Sequence, residues 1–321
     1  SGIVQVKMSI GQITDMMGWD TSMSMQHTFI ASTIPGGTLD SWLELEKAWS
    51  PYHLTSNLTI PLGQTMTVND GVFLRVADQV TIFVEGTFNS GTSTISSMGD
   101  GARWGGLVIG DNAETTARII GTSIVEGSPL ISIDGQSDTV LSHAHLARSS
   151  GAEPLLRSTN SASMAKLNII STSFTDSASH CIELQGSIEF HAQDLETFNC
   201  NSDALWALGP YLSIDGMTTQ DTVRLSGVEG EIYNLVGYDV LVDNVDGFSM
   251  GGLTVGSIYG FDNRELNIDD TNVSGAPALD FDNTAGTLTN IAVDCGGSGT
   301  GITSHHGRAS SSIVILDSKI S

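Results

Sequence analysis

Positive charge is the scarcest property of this chain. Twelve Lys and Arg face thirty-six Asp and Glu across 321 residues, a formal net charge of −24. So acidic a surface repels phosphate backbones and anionic lipid, which excludes nucleic acid and membrane surfaces as partners. No apolar run approaches the roughly 20 residues of a membrane span, so membrane insertion is not expected. Cysteine is limited to Cys181, Cys200 and Cys295, an odd and sparse set that implies no disulfide framework. Cys181 and Cys200 fall about one repeat apart and could pair, although buried thiols are the commoner use of such residues. Proline is rare as well. Sustained helical periods are missing from nearly the whole length.

What remains is rich in turn formers. Gly is frequent, and Ser, Thr, Asn and Asp fill the gaps between apolar pairs, a composition that suits many turns and few helices. From Ser50 to Ile109 apolar residues alternate with polar ones in short bursts: Leu58 and Ile60, Met66 and Val68, Val72 and Leu74, Ile82 and Val84, Leu107 and Ile109. A period of two over so few residues is a strand signal. Between the bursts stand Pro61 with Gly63, Asn69-Asp70-Gly71, Asp78 and Gly86, which turn the chain every few residues.

From about Leu130 onward the same phrase repeats. Ile182, Leu205, Val223, Val240, Ile258, Leu279 and Ile302 occupy equivalent apolar positions, with a mean spacing of about 20 residues, within the range of solenoid repeats. A unit of this size cannot bury an apolar face alone. Stacked at the strand spacing of about 4.8 Å, its inward residues form continuous ladders. The expectation is an all-β solenoid of about ten coils over residues 51–321, preceded by a lead-in and cap over residues 1–50. Within that lead-in, Leu39, Trp42, Leu43, Leu45 and Trp49 recur at helical spacing. Thr38 or Asp40 would cap a short amphipathic helix there, and Pro51 would end it. At the other end, SSSIVILDSKIS finishes on an apolar strand. A bare rung is a template for pairing, so continuation into a longer chain or packing against a second copy is expected.

The first coils resemble a known pattern. Ser50-Pro51-Tyr52, the strand from Leu58 to Ile60, the run from Pro61 to Val68, Gly71-Val72, the run from Ile82 to Thr87, and the run from Trp104 to Ile109 follow one another in order. They resemble the opening of the large extracellular β-helix repeat proteins of bacteria and archaea, and through them the right-handed parallel β-helix proteins of the pectate-lyase-like class. The likeness rests on motifs over residues 50–110 and on repeat period over 130–321. It implies a secreted or cell-surface protein.

That class includes polysaccharide lyases and hydrolases and pectin methylesterases, and each makes a demand on the sequence. A lyase pairs calcium-binding carboxylates with a basic residue; past Cys200 only Arg224, Arg264, Arg308 and Lys319 are available, none in a lyase motif. A polygalacturonase-like hydrolase places Asp residues on consecutive coils ahead of Gly-His-Gly and Arg-Ile-Lys. Here Asp269, Asp270, Asp280 and His306 are the matching fragments, without either later motif. Gln220-Asp221-Thr222-Val223 resembles a single methylesterase motif whose companions are absent.

Three groups of residues are the remaining site candidates. In ALDFDN, Leu279 and Phe281 point one way and Asp280 and Asp282 the other, with Asp262, Asp269 and Asp270 shortly before them. Carboxylates stacked about 5 Å apart repel by roughly 1 kcal/mol in water. Either the corners offset them, or a cation such as calcium sits among Asp262, Asp269, Asp280 and Asp282. His143 and His145 share a face of LSHAHLA and would need His180 or His191 beside them to hold a metal. Trp206, Tyr211, Tyr233, Tyr238 and Tyr259 fall in successive coils. Turned outward they would bind sugar rings or a partner; turned inward they are core. The reading favoured is a non-catalytic extracellular or cell-surface module with a structural or adhesive role, requiring no cofactor and binding carbohydrate or protein. The alternative is a polysaccharide-degrading enzyme with its site around Asp262–Asp282. The bare final strand points to homo-oligomerisation or to continuation into a longer chain.

Overall fold

The period-two alternation is realised as short strands whose apolar residues all turn to one interior. The computed structural model describes residues 32–110, 112, 114–149, 152–159, 165–275, 277–295, 301–305 and 312–320, with the short segments 3–5, 13–14, 20–21 and 28–30. Among the described residues the chain winds into a parallel β-solenoid of about 12 turns, with one sheet of 13 strands and one of 23 running along it. The only helical element described is a three-residue 3₁₀ turn, Lys47–Trp49.

One ladder shows why the stack holds. Leu58, Ile82, Leu107, Ile131, Leu156, Ile182, Leu205, Val223, Val240, Ile258, Leu279 and Ile302 lie in register on successive strands of the 13-stranded sheet. All but Ile302 are buried. The seven positions taken as equivalent from the repeat are those seven in register. Each such side chain contributes about 1.5–3 kcal/mol by leaving water, and Phe88, Phe174, Phe190 and Phe248 enlarge the same core.

Corners explain the Gly, Asn and Asp content. A coil is typified by Ile182–Gln185, then Gly186, then Glu189–Cys200, then Asp203–Leu208. Its long middle strand bends at Asp194 and again at Asn199, both with positive φ. These left-handed residues stack from coil to coil. One column runs Gly186, Gly209, Gly227, Asn244, Asp262 and Asn283; another runs Gly121, His143, Ser171, Asp194, Gly216, Asn234, Gly252, Asp270, Asn290 and Asp317. Left-handed geometry costs most L-residues about 1–2 kcal/mol, and Gly, Asn and Asp are the residues that visit it routinely. Each N–H of the first column reaches a carbonyl of the next coil, as in Asn244 to Phe261 O at 2.9 Å and Asp262 to Asp282 O at 3.0 Å. Side chains add a second tie: the amides of Asn199, Asn283 and Asn290 donate to Asp176, Asp262 and Asp270 of the preceding coil.

Parallel pairing begins at Ser32–Ile34, which pairs with Tyr52–Leu54, and Gly37–Thr38 pairs with the strand at Leu58. The first coil thus uses residues that the sequence assigns to the lead-in. Ahead of it, Ile3–Gln5 pairs antiparallel with Thr28–Ile30, and Ile13–Thr14 with Asp20–Thr21. The amphipathic helix expected after Thr38 does not form. Leu43–Leu45 is instead a strand in register with Met66 to Val68, Leu45 is buried, and Trp42 and Trp49 are 69% and 53% exposed. A helix this short carries its nucleation cost alone, whereas a strand added to an existing rung gains a ladder and a buried Leu. At the far end Val314, Ile315, Leu316 and Ile320 are exposed.

Candidate functional site

Outward positions on the large sheet form rows just as the inward ones do. Lys166, Glu189, Tyr211 and Glu229 stand in register on four consecutive coils, at the starts of their strands. Gly209-Pro210 and Ser187-Ile188 form the adjoining corners, and together these residues line an open groove of about 640 Å³. Tyr211 is 43% exposed, and its ring meets the His191 ring at a centroid distance of 6.1 Å. The Glu189 carboxylate is shared: its Oε1 accepts from His191 Nε2 at 2.9 Å, and its Oε2 lies 3.4 Å from Lys166 Nζ. The His191 hydrogen bond first, and then the Lys166 charge, hold this carboxyl below the ordinary Glu range. The groove therefore offers an aromatic platform between carboxylates on a rigid parallel sheet, a combination suited to stacking and hydrogen bonding.

A second polar cluster lies on the 13-stranded sheet beside a disulfide. Cys181 and Cys200 are bonded, one coil apart, with Cα atoms 5.4 Å from each other. This corrects the expectation of buried thiols, and the reason is the stacking, which places corner residues of adjacent coils within bonding range. Immediately next to them, Asp203 is buried with its side chain only 8% exposed, and Oδ2 accepts from Arg224 Nε at 3.2 Å. His180 Nδ1 lies 3.3 Å from the same oxygen, to which it donates when it carries the proton. Deprotonated, that nitrogen accepts the Asp203 backbone N–H at 3.2 Å. The His180 ring stacks on Trp206 with centroids 5.2 Å apart. Burial alone would raise the Asp203 carboxyl, but the hydrogen bonds from His180 and Arg224 outweigh it and hold the group below the usual Asp range.

A depressed carboxyl stabilises the fold above the unfolded-state value of about 3.9, and that contribution is lost as pH falls through the lower folded value. Asp203→Asn is therefore expected to cost about 1.5–3 kcal/mol at neutral pH, the range for hydrogen bonds to charged groups. The difference from wild type should close as pH drops below about 4, read from melting temperatures between neutral pH and strong acid. A gap that stays constant over that range would show that the carboxylate charge is not what stabilises.

The aromatic residues singled out in the sequence all face outward but not on one flank. Trp206 lies on the 13-stranded sheet, Tyr211 opens a strand of the large sheet, and Tyr233 lies further along its strand. Tyr233 covers Gly251, where a Cβ would fall 2.8 Å from its Cε1. Tyr238 is 63% exposed at a corner.

The acids likewise separate. Asp262 and Asp270 are left-handed corner residues engaged by Asn283 and Asn290, and Asp269 Oδ1 accepts the Asp270 N–H. Asp269 belongs to the large sheet, whereas Asp280 and Asp282 are on the 13-stranded sheet. Asp280 carries a buried Oδ1 with no hydrogen-bond partner. Among the described residues no group of three or more His, Cys, Asp or Glu is placed to hold a metal ion. His306 lies outside the described residues. His143 is itself a left-handed corner and contacts Ser142, while His145 bonds Ser173 at 2.9 Å, its pKa lowered by burial and then by Arg148.

Sequence reasoning missed Asp203, Lys166, Glu189 and Glu229, and considered His191 only as a metal ligand beside His143 and His145. Their only signal is register across coils, which becomes readable once each coil's length is known. Among the described residues no helix is long and apolar enough to cross a membrane. No family model matches the chain, and a search of curated proteins finds no match.

Proposed function

We propose that the chain is a non-catalytic module of an extracellular or cell-surface protein, akin to the parallel β-helix proteins it resembles in sequence, that binds glycan in the groove around Tyr211. The observation that carries this reading is the in-register row Lys166, Glu189, Tyr211, Glu229, which aligns an exposed aromatic ring with hydrogen-bonding groups along the rod. Sugar rings present apolar faces that stack on such a ring, and hydroxyl groups that bond to flanking carboxylates. The Cys181–Cys200 disulfide supports an oxidising compartment.

Proton chemistry supports the non-catalytic part of this reading against a glycoside hydrolase. Glycoside hydrolysis needs a carboxylic acid that keeps its proton near neutral pH, paired with a second carboxylate. Glu189 is pushed the opposite way by His191 and Lys166. Asp239 is raised by burial, but it hydrogen-bonds to Ser257 and lies outside the groove.

Screening the protein on a glycan array, followed by calorimetry on the best ligand, tests the proposal. Tyr211→Ala should weaken that binding about tenfold or more, equivalent to about 1.4 kcal/mol, with circular dichroism unchanged. Retained affinity in that variant would place the ligand elsewhere.

A further inference from the structure

We propose that the Tyr211 groove selects a glycan bearing free amines, an amino-sugar oligomer, over its neutral or uronic-acid counterparts. This rests on the glycan reading above and specifies the ligand class of the same groove. The argument is charge complementarity in register. Tyr211 is flanked on adjacent strands by Glu189 and Glu229, one on each side, at the strand spacing of about 4.8 Å. Among the described residues Lys166 is the one ammonium lining the groove, and Glu189 matches it at 3.4 Å. Glu229 makes no ion pair or side-chain hydrogen bond among the described residues, so its charge stands uncompensated beside the ring.

Three ligand classes fare differently there. A uronic-acid chain meets the Glu229 carboxylate and the field of a chain with net charge −24, and is repelled. A neutral sugar stacks on Tyr211 and offers Glu229 only neutral hydroxyl donors, which bind a carboxylate more weakly than an ammonium does. An ammonium on the sugar ring donates a charge-assisted hydrogen bond to Glu229 and is attracted to the Tyr211 face. The row spans four coils, so an oligomer engages more of it than a single sugar does.

Calorimetry on the intact chain at about 150 mM salt, which screens general surface attraction, tests the inference with four tetrasaccharides: a glucosamine oligomer, its N-acetylated form, a neutral glucan and an oligogalacturonate. The free-amine oligomer should bind about tenfold tighter than the N-acetylated form, and the oligogalacturonate should not bind. Glu229→Gln should abolish that preference while keeping affinity for the N-acetylated form. Glu196→Gln, an exposed acid elsewhere on the large sheet, should leave the preference intact. Equal affinity for the amine and acetylated oligomers would overturn the amine inference and leave the glycan reading standing. A preference that survives Glu229→Gln, or that disappears in Glu196→Gln, would also overturn it, since it would then reflect general acidity. Absence of binding by all four, together with a blank array, would overturn both.

Discussion

Trp104→Ala is expected to lower the free energy of unfolding by about 3–5 kcal/mol, the top of the range for a core truncation. Trp104 is fully buried, and it is the bulkiest member of the core. Its indole Nε1 donates to Val125 O of the next coil at 2.9 Å, and its backbone bridges to Gly127 in parallel register. Truncation removes apolar surface, opens a cavity and leaves a buried carbonyl without its donor, three costs that add in the same direction. Trp104→Phe separates them. It keeps most of the volume and loses only the hydrogen bond, so it should cost clearly less. Urea denaturation followed by far-ultraviolet circular dichroism measures both. Equal losses for the two variants would mean that the hydrogen bond, not the packing, dominates.

Removing the disulfide comes second. Cys181 and Cys200 close a loop of 19 residues, and a closure of that length restricts the unfolded chain by about 3 kcal/mol. Cys200→Ser should destabilise by about that amount, and reductant should shift wild type by the same amount while leaving the variant unmoved. The location sharpens the consequence. His180 and Asp203 flank the two half-cystines in sequence, and Cys181 N–H donates to Asp203 O at 3.0 Å. Loss of the bridge should therefore also weaken the His180–Asp203–Arg224 cluster, visible as a smaller additional penalty from Asp203→Asn in the Cys200→Ser background than in wild type. Insensitivity of wild type to reductant would mean the bond contributes nothing.

Particular residues show where sequence reasoning reached and where it stopped. The positions Ile182 to Ile302 could be aligned from spacing because inward residues obey a local rule: they alternate, and they are apolar. The helix expected after Thr38 failed because two Trp and three Leu residues at helical spacing also contain the alternation Leu43, Leu45, and the waiting rung at Met66 to Val68 decided between them. Asp262 and Asp270 looked like chemistry because acids recur there. Their positive φ and their Asn partners one coil on make them corner posts.

The groove was half legible. Tyr211 stood out as an aromatic residue, but nothing near it in sequence points to Glu189, twenty-two positions earlier. Coil lengths vary through their corners, so a side chain's neighbour in the next coil cannot be counted off along the chain.

The sequence alone thus determined the architecture, because burial of alternating apolar residues and the left-handed tolerance of Gly, Asn and Asp act within a few residues. Tertiary structure decided the pairing of Cys181 with Cys200, the burial of Asp203 between His180 and Arg224, and the row from Lys166 to Glu229. Those depend on which residues of separate coils share a register, and that is fixed only when the coils stack.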